Sequence, residues 1–261
     1  MEIWALVMFG VLMIVVLFGY PVAFSLGAVA LFFGSIFLGM DFFNLLPLRI
    51  WGIMTNFTLL AVPLFVFMGV VLEKSGIAEQ LLETMGLLLG RLPGGLALAI
   101  VIVGALLAAT TGVVGATVVT MGIIALPSLL KNHYSPSLAT GTIAAAGTLG
   151  QVIPPSIILI LLADVVGVPV GRLFLAAIVP GLLLVVVYLC YIFIKAWRQP
   201  HTVPALTNTA LVWNQHFIWR LIKSILPAFL LIIAVLGSIF LGIASPTESA
   251  AFGALGALLL A

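Results

Sequence analysis

The chain has 261 residues, of which 64% are hydrophobic and only 6% are charged. Because a soluble domain is about one-quarter charged, this composition predicts an integral membrane protein. The net charge of +2 comes from few, scattered basic residues and gives no sign of nucleic-acid binding, while a lone cysteine, Cys190, excludes an internal disulfide and a cysteine-based metal cluster.

The first part of the chain predicts three apolar helices. Apolar runs longer than ten residues, without the alternation of barrel strands, favour an all-α polytopic membrane protein. Helices are predicted at 3–18, 22–38 and 56–72, with a semi-polar interfacial connector at 42–55. The first run begins with Glu2 and no basic residues, so we expect a retained membrane helix and no cleaved signal peptide.

The next two segments predict a surface helix and a helical hairpin. Residues 73–91 are amphipathic, which is typical of a helix lying along the membrane surface. Residues 92–130 form a weakly polar run whose middle, ATTGVVGAT at 109–117, offers only threonines and glycines for a turn. Each arm would hold roughly 15–17 helical residues, about 25 Å, which falls short of a bilayer core about 30 Å thick. We therefore favour a re-entrant hairpin, with two complete spans as the alternative.

The stretch 141–156, GTIAAAGTLGQVIPPS, interrupts an apolar segment at 137–162 that is long enough to cross a bilayer. Its glycines and Pro-Pro pair predict a helix break near 147–155, because proline removes a backbone donor and displaces the preceding residue from helical geometry. Lipid cannot satisfy the exposed backbone groups, so the break must be covered by protein or line a polar cavity. Secondary transporters build ion and substrate sites from such broken helices.

The last part predicts a short loop at 164–172, a span at 173–194, a hydrophilic loop at 195–219, and an apolar segment at 220–240 that leads into 241–261. Placing the hydrophilic loop in the cytoplasm puts seven of the nine Lys and Arg on that side, as the positive-inside rule expects, and the N-terminus outside. The seven are Lys74, Arg91, Lys131, Lys195, Arg198, Arg220 and Lys223.

Two stretches predict an internal repeat. Residues 17–28, LFGYPVAFSLGA, and residues 242–254, GIASPTESAAFGA, each combine the end of an apolar helix, a tight proline turn and a helix start rich in small residues. An odd number of predicted crossings separates the two turns, which indicates an inverted-topology repeat. We expect the chain to cover the first repeat and only the start of the second, with a second hairpin and broken helix missing.

Taken in order, the motifs resemble the large membrane subunit, DctM type, of tripartite ATP-independent periplasmic (TRAP) transporters. The matching pieces are GYPVAF at 19–24, LLAVPLF at 59–65, GVVGAT at 112–117 with MG at 121–122, the stretch 141–156, and SPTE at 245–248. The resemblance implies an ion-transporter-type inverted repeat with a re-entrant hairpin and a broken helix. It also implies a multi-pass protein of the bacterial inner membrane, with a periplasmic N-terminus, that imports small organic acids by a sodium-coupled elevator mechanism.

The resemblance also implies partners and a division of the chain. A periplasmic substrate-binding protein (DctP type) would deliver the substrate, a small four-helix membrane subunit (DctQ type) would brace the scaffold, and sodium would be the coupling ion, with no cofactor. The regions would be scaffold helices at 1–72, the surface helix at 73–91, the transport-domain hairpin and broken helix at 92–167, a transmembrane helix at 168–196, a cytoplasmic inter-repeat loop at 197–219, and the start of the second repeat at 220–261.

The candidate site pairs the hairpin tip with the helix break. The predicted sodium-binding residues are Thr111, Gly112, Val113, Gly115, Thr148, Gly150 and Val152, which offer mainly backbone carbonyls. The predicted substrate-binding residues are Gln151, Pro154, Pro155, Ser156 and Thr117. Many relatives carry Ser-Gly-Ser followed by Pro-Ala-Thr at the tip, whereas this chain has valines and a glycine there. The alternative is that the glycines only permit close helix packing.

Other functions are less well supported by the residues. The chain has no zinc-binding His/Glu spacing, nucleotide-binding glycine loop or serine elbow, so we expect no enzyme. The permease subunit of an ATP-driven importer, or an unrelated ion-coupled anion transporter, is the alternative function. A membrane-embedded enzyme ranks last, because titratable residues at membrane depth are nearly absent.

Overall fold

The computed structural model of the protein describes residues 2–40, 42–111, 114–205 and 215–261. These residues form helices and turns, with no strand among them, which confirms the all-α prediction. The helices are α1 (Glu2–Leu17), α2 (Val22–Leu38), α3 (Phe42–Met54), α4 (Ala61–Lys74), α5 (Ile77–Leu89), α6 (Gly95–Thr111), α7 (Val114–Lys131), α8 (Pro136–Thr148), α9 (Ile157–Val166), α10 (Val170–Arg198), α11 (Gln215–Phe240) and α12 (Pro246–Leu260), with short 3₁₀ turns at Leu149–Gln151 and Pro200–Thr202.

The chain divides into two compact units, Met1–Asn56 and Phe57–Ala261. In the first unit, α2 buries Ser25, Val29 and Phe33, which recur every four residues and so share one helix face. The predicted connector at 42–55 is wrong, because these residues form the helix α3. Its polar residues are spread along the segment between leucines and isoleucines, so they do not interrupt the helix.

Two apolar clusters organise the second unit. One joins α5, α6, α7, α8 and the end of α10, with Leu81, Ile100, Met121 and Leu149 fully buried. The other joins α4, α9, the start of α10, α11 and α12. Small residues let helices approach closely within it, since a Cβ added at Gly253 would lie 2.7 Å from the Met68 sulfur.

The predicted surface helix at 73–91 begins too early. Glu73 and Lys74 belong to the end of α4, and α5 starts only at Ile77. Gly76 separates them in the left-handed conformation (φ 77°), which a residue with a side chain rarely adopts, and the two helices are bent by 58°. α5 buries one face, including Leu81, against the cluster with α6.

The predicted break in the helix at 147–155 is confirmed. α8 ends at Thr148, a single 3₁₀ turn follows, and α9 begins only at Ile157. The two predicted hairpin arms are α6 and α7, of 17 and 18 residues, or about 26 Å each at 1.5 Å per residue. That the hairpin turns back inside the bilayer stays a prediction.

α10 is longer than predicted. It runs from Val170 to Arg198, so the predicted loop at 164–172 shrinks to three residues and the predicted hydrophilic loop at 195–219 starts four residues later. Gly167 in the left-handed conformation ends α9, and Pro169 leads directly into α10. Among the described residues, α10 and the stretch Leu221–Phe240 are long and apolar enough to cross a membrane. The bent pair α4–α5 adds a third if the two helices form one span. The assignment of regions to scaffold and transport parts stays a prediction.

α8 lies against both arms of the hairpin through its smallest residues. A Cβ added at Gly147 would lie 2.3 Å from Cγ2 of Val118 on α7 and 3.1 Å from the Val118 Cα. On the other arm, a Cβ added at Gly104 of α6 would lie 2.7 Å from the Ala146 Cβ. Two adjacent residues of α8 therefore hold the two arms, which places the helix break directly beside the hairpin.

We predict that Gly147→Ala destabilises the protein. The added methyl group has no room against the Val118 backbone, and overpacking of this kind costs roughly 1–3 kcal/mol. The measurement is thermal unfolding of the purified full-length subunit in detergent.

Gly122→Ala is the matched control, because Gly122 lies inside α7 with no atom within 4 Å of the added Cβ. It should leave stability unchanged or raise it by up to about 1 kcal/mol, as alanine favours helix. Equal unfolding temperatures for the two variants would contradict the close crossing.

Candidate functional site

The break between α8 and α9 is built from a tightened helix end and an irregular segment. The amides of Val152 and Ile153 both donate to the Leu149 carbonyl, at 3.0 and 2.9 Å, which closes the 3₁₀ turn. The chain then passes through Pro154 and Pro155, joined by a cis peptide bond, before α9 starts. Neither proline has an amide hydrogen, so this segment leaves fewer donors to satisfy.

Ser156 satisfies backbone groups on both sides of the break. Its hydroxyl donates to the Gln151 carbonyl at 2.9 Å and accepts from the Leu159 amide at 3.5 Å, and the residue is fully buried. Ser156 is thus the N-cap of α9, a role for which serine is favoured. Its hydroxyl, predicted to contact substrate, is already engaged in holding the break together.

The remaining break residues differ in exposure. Gly150, Pro154 and Pro155 are buried, Gln151 and Val152 are half-buried, and Thr148 is exposed. α6, α7, α9 and α10 all approach the 3₁₀ turn. On α10, Gly181 makes room for Ile153, because a Cβ added at Gly181 would lie 3.2 Å from the Ile153 Cγ1. The break is therefore covered on several sides by protein, as its backbone requires.

The structure brings together only part of the predicted sodium site. Thr148, Gly150 and Val152 share the break, and the Thr148 hydroxyl donates to the Ala145 carbonyl at 2.8 Å, which leaves its oxygen lone pairs as acceptors. Gly112 and Val113 lie outside the described residues, and Thr111 ends α6. Gly115 was predicted to lie close to the break as a sodium ligand. It lies instead in the first turn of α7, exposed and with nothing within 4 Å of an added Cβ.

Glu73 was predicted to lie in the surface helix, but its carboxylate contacts the hairpin. The hydroxyl of Thr120 on α7 donates to the carboxylate of Glu73 at the end of α4. Thr117, which was predicted to bind substrate, is buried one turn away and lines a small cavity of about 10 Å³ with this pair. The feature of the sequence that could have indicated this polar contact is the spacing of Thr117 and Thr120, which places two hydroxyls on one face of an apolar helix.

The opposite end of the hairpin is tied to the loop after α10. The Gly94 amide donates to the Val203 carbonyl at 3.0 Å, and the Ser135 amide donates to the Thr202 carbonyl at 3.1 Å. Nearby, burial raises the pKa of Tyr134 to about 12, opposed in part by the backbone amides of Leu96 and Ala97 at the start of α6. The starts of α6 and α8 and the end of α10 are therefore held in one cluster.

The described residues hold no group of three His, Cys, Asp or Glu side chains that would bind a metal ion. The chemistry of the break is instead that of backbone carbonyls, threonine and serine hydroxyls and one amide. Oxygen atoms of these kinds suit a hard monovalent cation, and α8 ends at the break with its carbonyl dipoles directed toward it.

Comparison with known proteins gives a family for this chain. The family described as "Tripartite ATP-independent periplasmic transporter, DctM component" matches residues 9–261. The C4-dicarboxylate TRAP transporter large permease protein DctM of Pseudomonas aeruginosa is 34% identical over 213 residues, covering 80% of this chain and 48% of the relative.

Two proteins of Vibrio cholerae are similar to this chain at nearly the same identity. Its C4-dicarboxylate TRAP transporter large permease protein DctM is 33% identical over 245 residues, covering 93% of this chain and 52% of the relative. Its sialic acid TRAP transporter large permease protein SiaM is 33% identical over 247 residues, covering 93% and 55%. The chain thus spans about half the length of the curated relatives it matches, and these relatives are transporter permeases rather than enzymes.

The family match, the identities and the apolar helices agree with the motifs that first suggested this family. The chain is a membrane protein and belongs to the DctM component family of tripartite ATP-independent periplasmic transporters.

Proposed function

We propose that this chain covers the first repeat and the start of the second repeat of the large permease subunit of a sodium-coupled importer of small organic acids. The observation that carries the proposal is the broken helix α8–α9 held between the arms of the α6–α7 hairpin, in a chain of the DctM family. A break flanked by a hairpin supplies carbonyls and helix ends at one place, as ion and substrate sites of secondary transporters require.

The names of the relatives support the substrate class. They are described as permeases for C4-dicarboxylates, sialic acid, isethionate and ectoine. Each of these compounds carries a carboxylate or sulfonate group. We therefore propose a small organic acid as the substrate of the whole protein, delivered by a periplasmic binding protein, with a small membrane subunit as the third component and the bacterial inner membrane as the location.

Sodium coupling follows from the chemistry of the break. α8 ends at the break, at Thr148, and the carbonyls of helix C-termini carry partial negative charge. One cation moved across 100 mV releases about 2.3 kcal/mol, so two ions would drive steep accumulation of an organic acid.

An elevator movement is supported by the close crossings on α8. The close fit of Gly147 against Val118 and of Ala146 against Gly104 favours movement of α8 together with both arms. We propose that hairpin and broken helix move together as one rigid part, carrying the site between the two faces of the membrane.

The first test is uptake by the full-length subunit, reconstituted into ATP-free proteoliposomes with its small subunit and binding protein. An inward sodium gradient should drive accumulation of one of a screened set of C4-dicarboxylates, isethionate, sialic acid and ectoine. Uptake that ignores the sodium gradient would overturn the coupling, and uptake that requires internal ATP would favour the ATP-driven alternative.

Thr148→Val tests the ion site itself. Valine has the shape of threonine without the hydroxyl, so the concentration of sodium that gives half-maximal uptake should rise about tenfold, as expected when ~1.4 kcal/mol of binding is lost.

Thr140→Val is the matched control. Thr140 lies two turns earlier on α8, is exposed, and its hydroxyl donates to a carbonyl of its own helix at 2.9 Å, as that of Thr148 does. The control should keep the sodium dependence of the natural protein. A shift of the same size in both variants would show that the hydroxyl acts on the helix and not on sodium.

A further inference from the structure

A groove of about 510 Å³ separates α8 from α10. Its floor includes Val101 of α6, which is almost fully buried. The bond from the Ser135 amide to the Thr202 carbonyl places the start of α8 beside the end of α10, so the two walls run antiparallel. The lining residues span nine positions on each wall, 137–145 and 187–195, which is about 12 Å of helix from first to last.

The two ends of the groove differ in chemistry. One end carries the ammonium group of Lys195 and the hydroxyls of Ser135, Ser137 and Thr202. The other end is lined by Ala145 and Val187, with Tyr188 next to Val187 on the α10 wall. A ligand that fills the groove must therefore have a polar, anionic end and a slender apolar part.

The polar end lies at the depth of lipid headgroups. Arg172 and Lys195 stand at opposite ends of α10, 23 residues or about 35 Å apart, which slightly exceeds a hydrocarbon core about 30 Å thick. Trp197, just beyond Lys195, is 81% exposed, as expected of an aromatic residue at the membrane interface. The apolar end of the groove then lies within the hydrocarbon layer.

The positive charge at the polar end is not neutralised by the part of the chain that the structure describes. Lys195 is half-buried at the rim of the groove, and no described carboxylate pairs with it. Basic pockets between membrane helices are typical binding sites of anionic lipid headgroups.

We propose that this groove binds an anionic phospholipid. The phosphate lies against Lys195 and the serine hydroxyls, and one acyl chain runs along Gly141, Ala145 and Val187 between α8 and α10. A soluble organic anion would satisfy the lysine but would leave the apolar end empty. A bound lipid therefore sets the separation between α8 and α10 along the groove.

The test is native mass spectrometry of the full-length subunit, released from nanodiscs that contain equal amounts of phosphatidylglycerol and phosphatidylethanolamine. The natural protein should retain phosphatidylglycerol in preference to phosphatidylethanolamine. Lys195→Gln should lower that preference about fivefold, the effect expected for one basic residue at a lipid headgroup.

Arg198→Gln is the matched control, because Arg198 lies in the same last turn of α10 but is exposed and does not line the groove. It should retain phosphatidylglycerol like the natural protein. Gly141→Leu blocks the acyl-chain part and should abolish retention of both lipids. It should still fold, because a Cβ added at Gly141 would have no atom within 4 Å.

Three outcomes would overturn the proposal. The natural protein would retain no lipid if another protein segment fills the groove. Lys195→Gln and Arg198→Gln would reduce retention equally if only the general surface charge matters. Gly141→Leu would retain phosphatidylglycerol unchanged if the lipid binds elsewhere. None of these outcomes depends on sodium coupling or on the transported substrate, so the two proposals can fail separately.

Discussion

The backbone groups exposed at the break between α8 and α9 impose the main constraint on this protein. Lipid offers no hydrogen-bond partner, so each donor and acceptor at the break must be satisfied by the chain itself. Ser156 does this for both sides, and the two prolines remove donors that would otherwise need partners. What is left is a covered, irregular segment, and its remaining carbonyls are the ligands of the proposed sodium site.

Covering the break requires neighbours that come very close, and this explains the small residues around it. Gly147 and Ala146 admit the two hairpin arms, and Gly181 admits Ile153 from the break itself. Between membrane helices such contacts replace the hydrophobic effect as the source of association, since lipid tails are as apolar as leucine. Of the glycines that were candidate sodium ligands, Gly150 lies buried at this break, whereas Gly115 is exposed in the first turn of α7.

Local chemistry decided what the sequence could predict. The predictions of the break, of α2 and of the helical hairpin arms were correct because glycine, proline and the length of an apolar run determine the local backbone structure. The predicted connector at 42–55 was wrong because its moderate polarity was taken as a sign of irregular structure, whereas these residues form α3. The predicted start of the surface helix was wrong because the charged residues were taken as its beginning, whereas the left-handed residue Gly76 sets the start of α5. The Glu73–Thr120 contact joins residues 47 positions apart, and only the tertiary structure brings them together.

The composition of α8 also explains why it has both a packed face and an open face. Its sequence from Pro136 to Thr148 contains alanine, glycine, serine and threonine with only two larger side chains, Leu138 and Ile143. Such a helix can approach the hairpin closely on one side, and the residues that it presents to the groove are small apart from Leu138. The groove is therefore a direct consequence of the close packing that covers the break. In a membrane, a space of this kind at headgroup depth with a lysine at its rim is filled by the surrounding solvent, which is lipid.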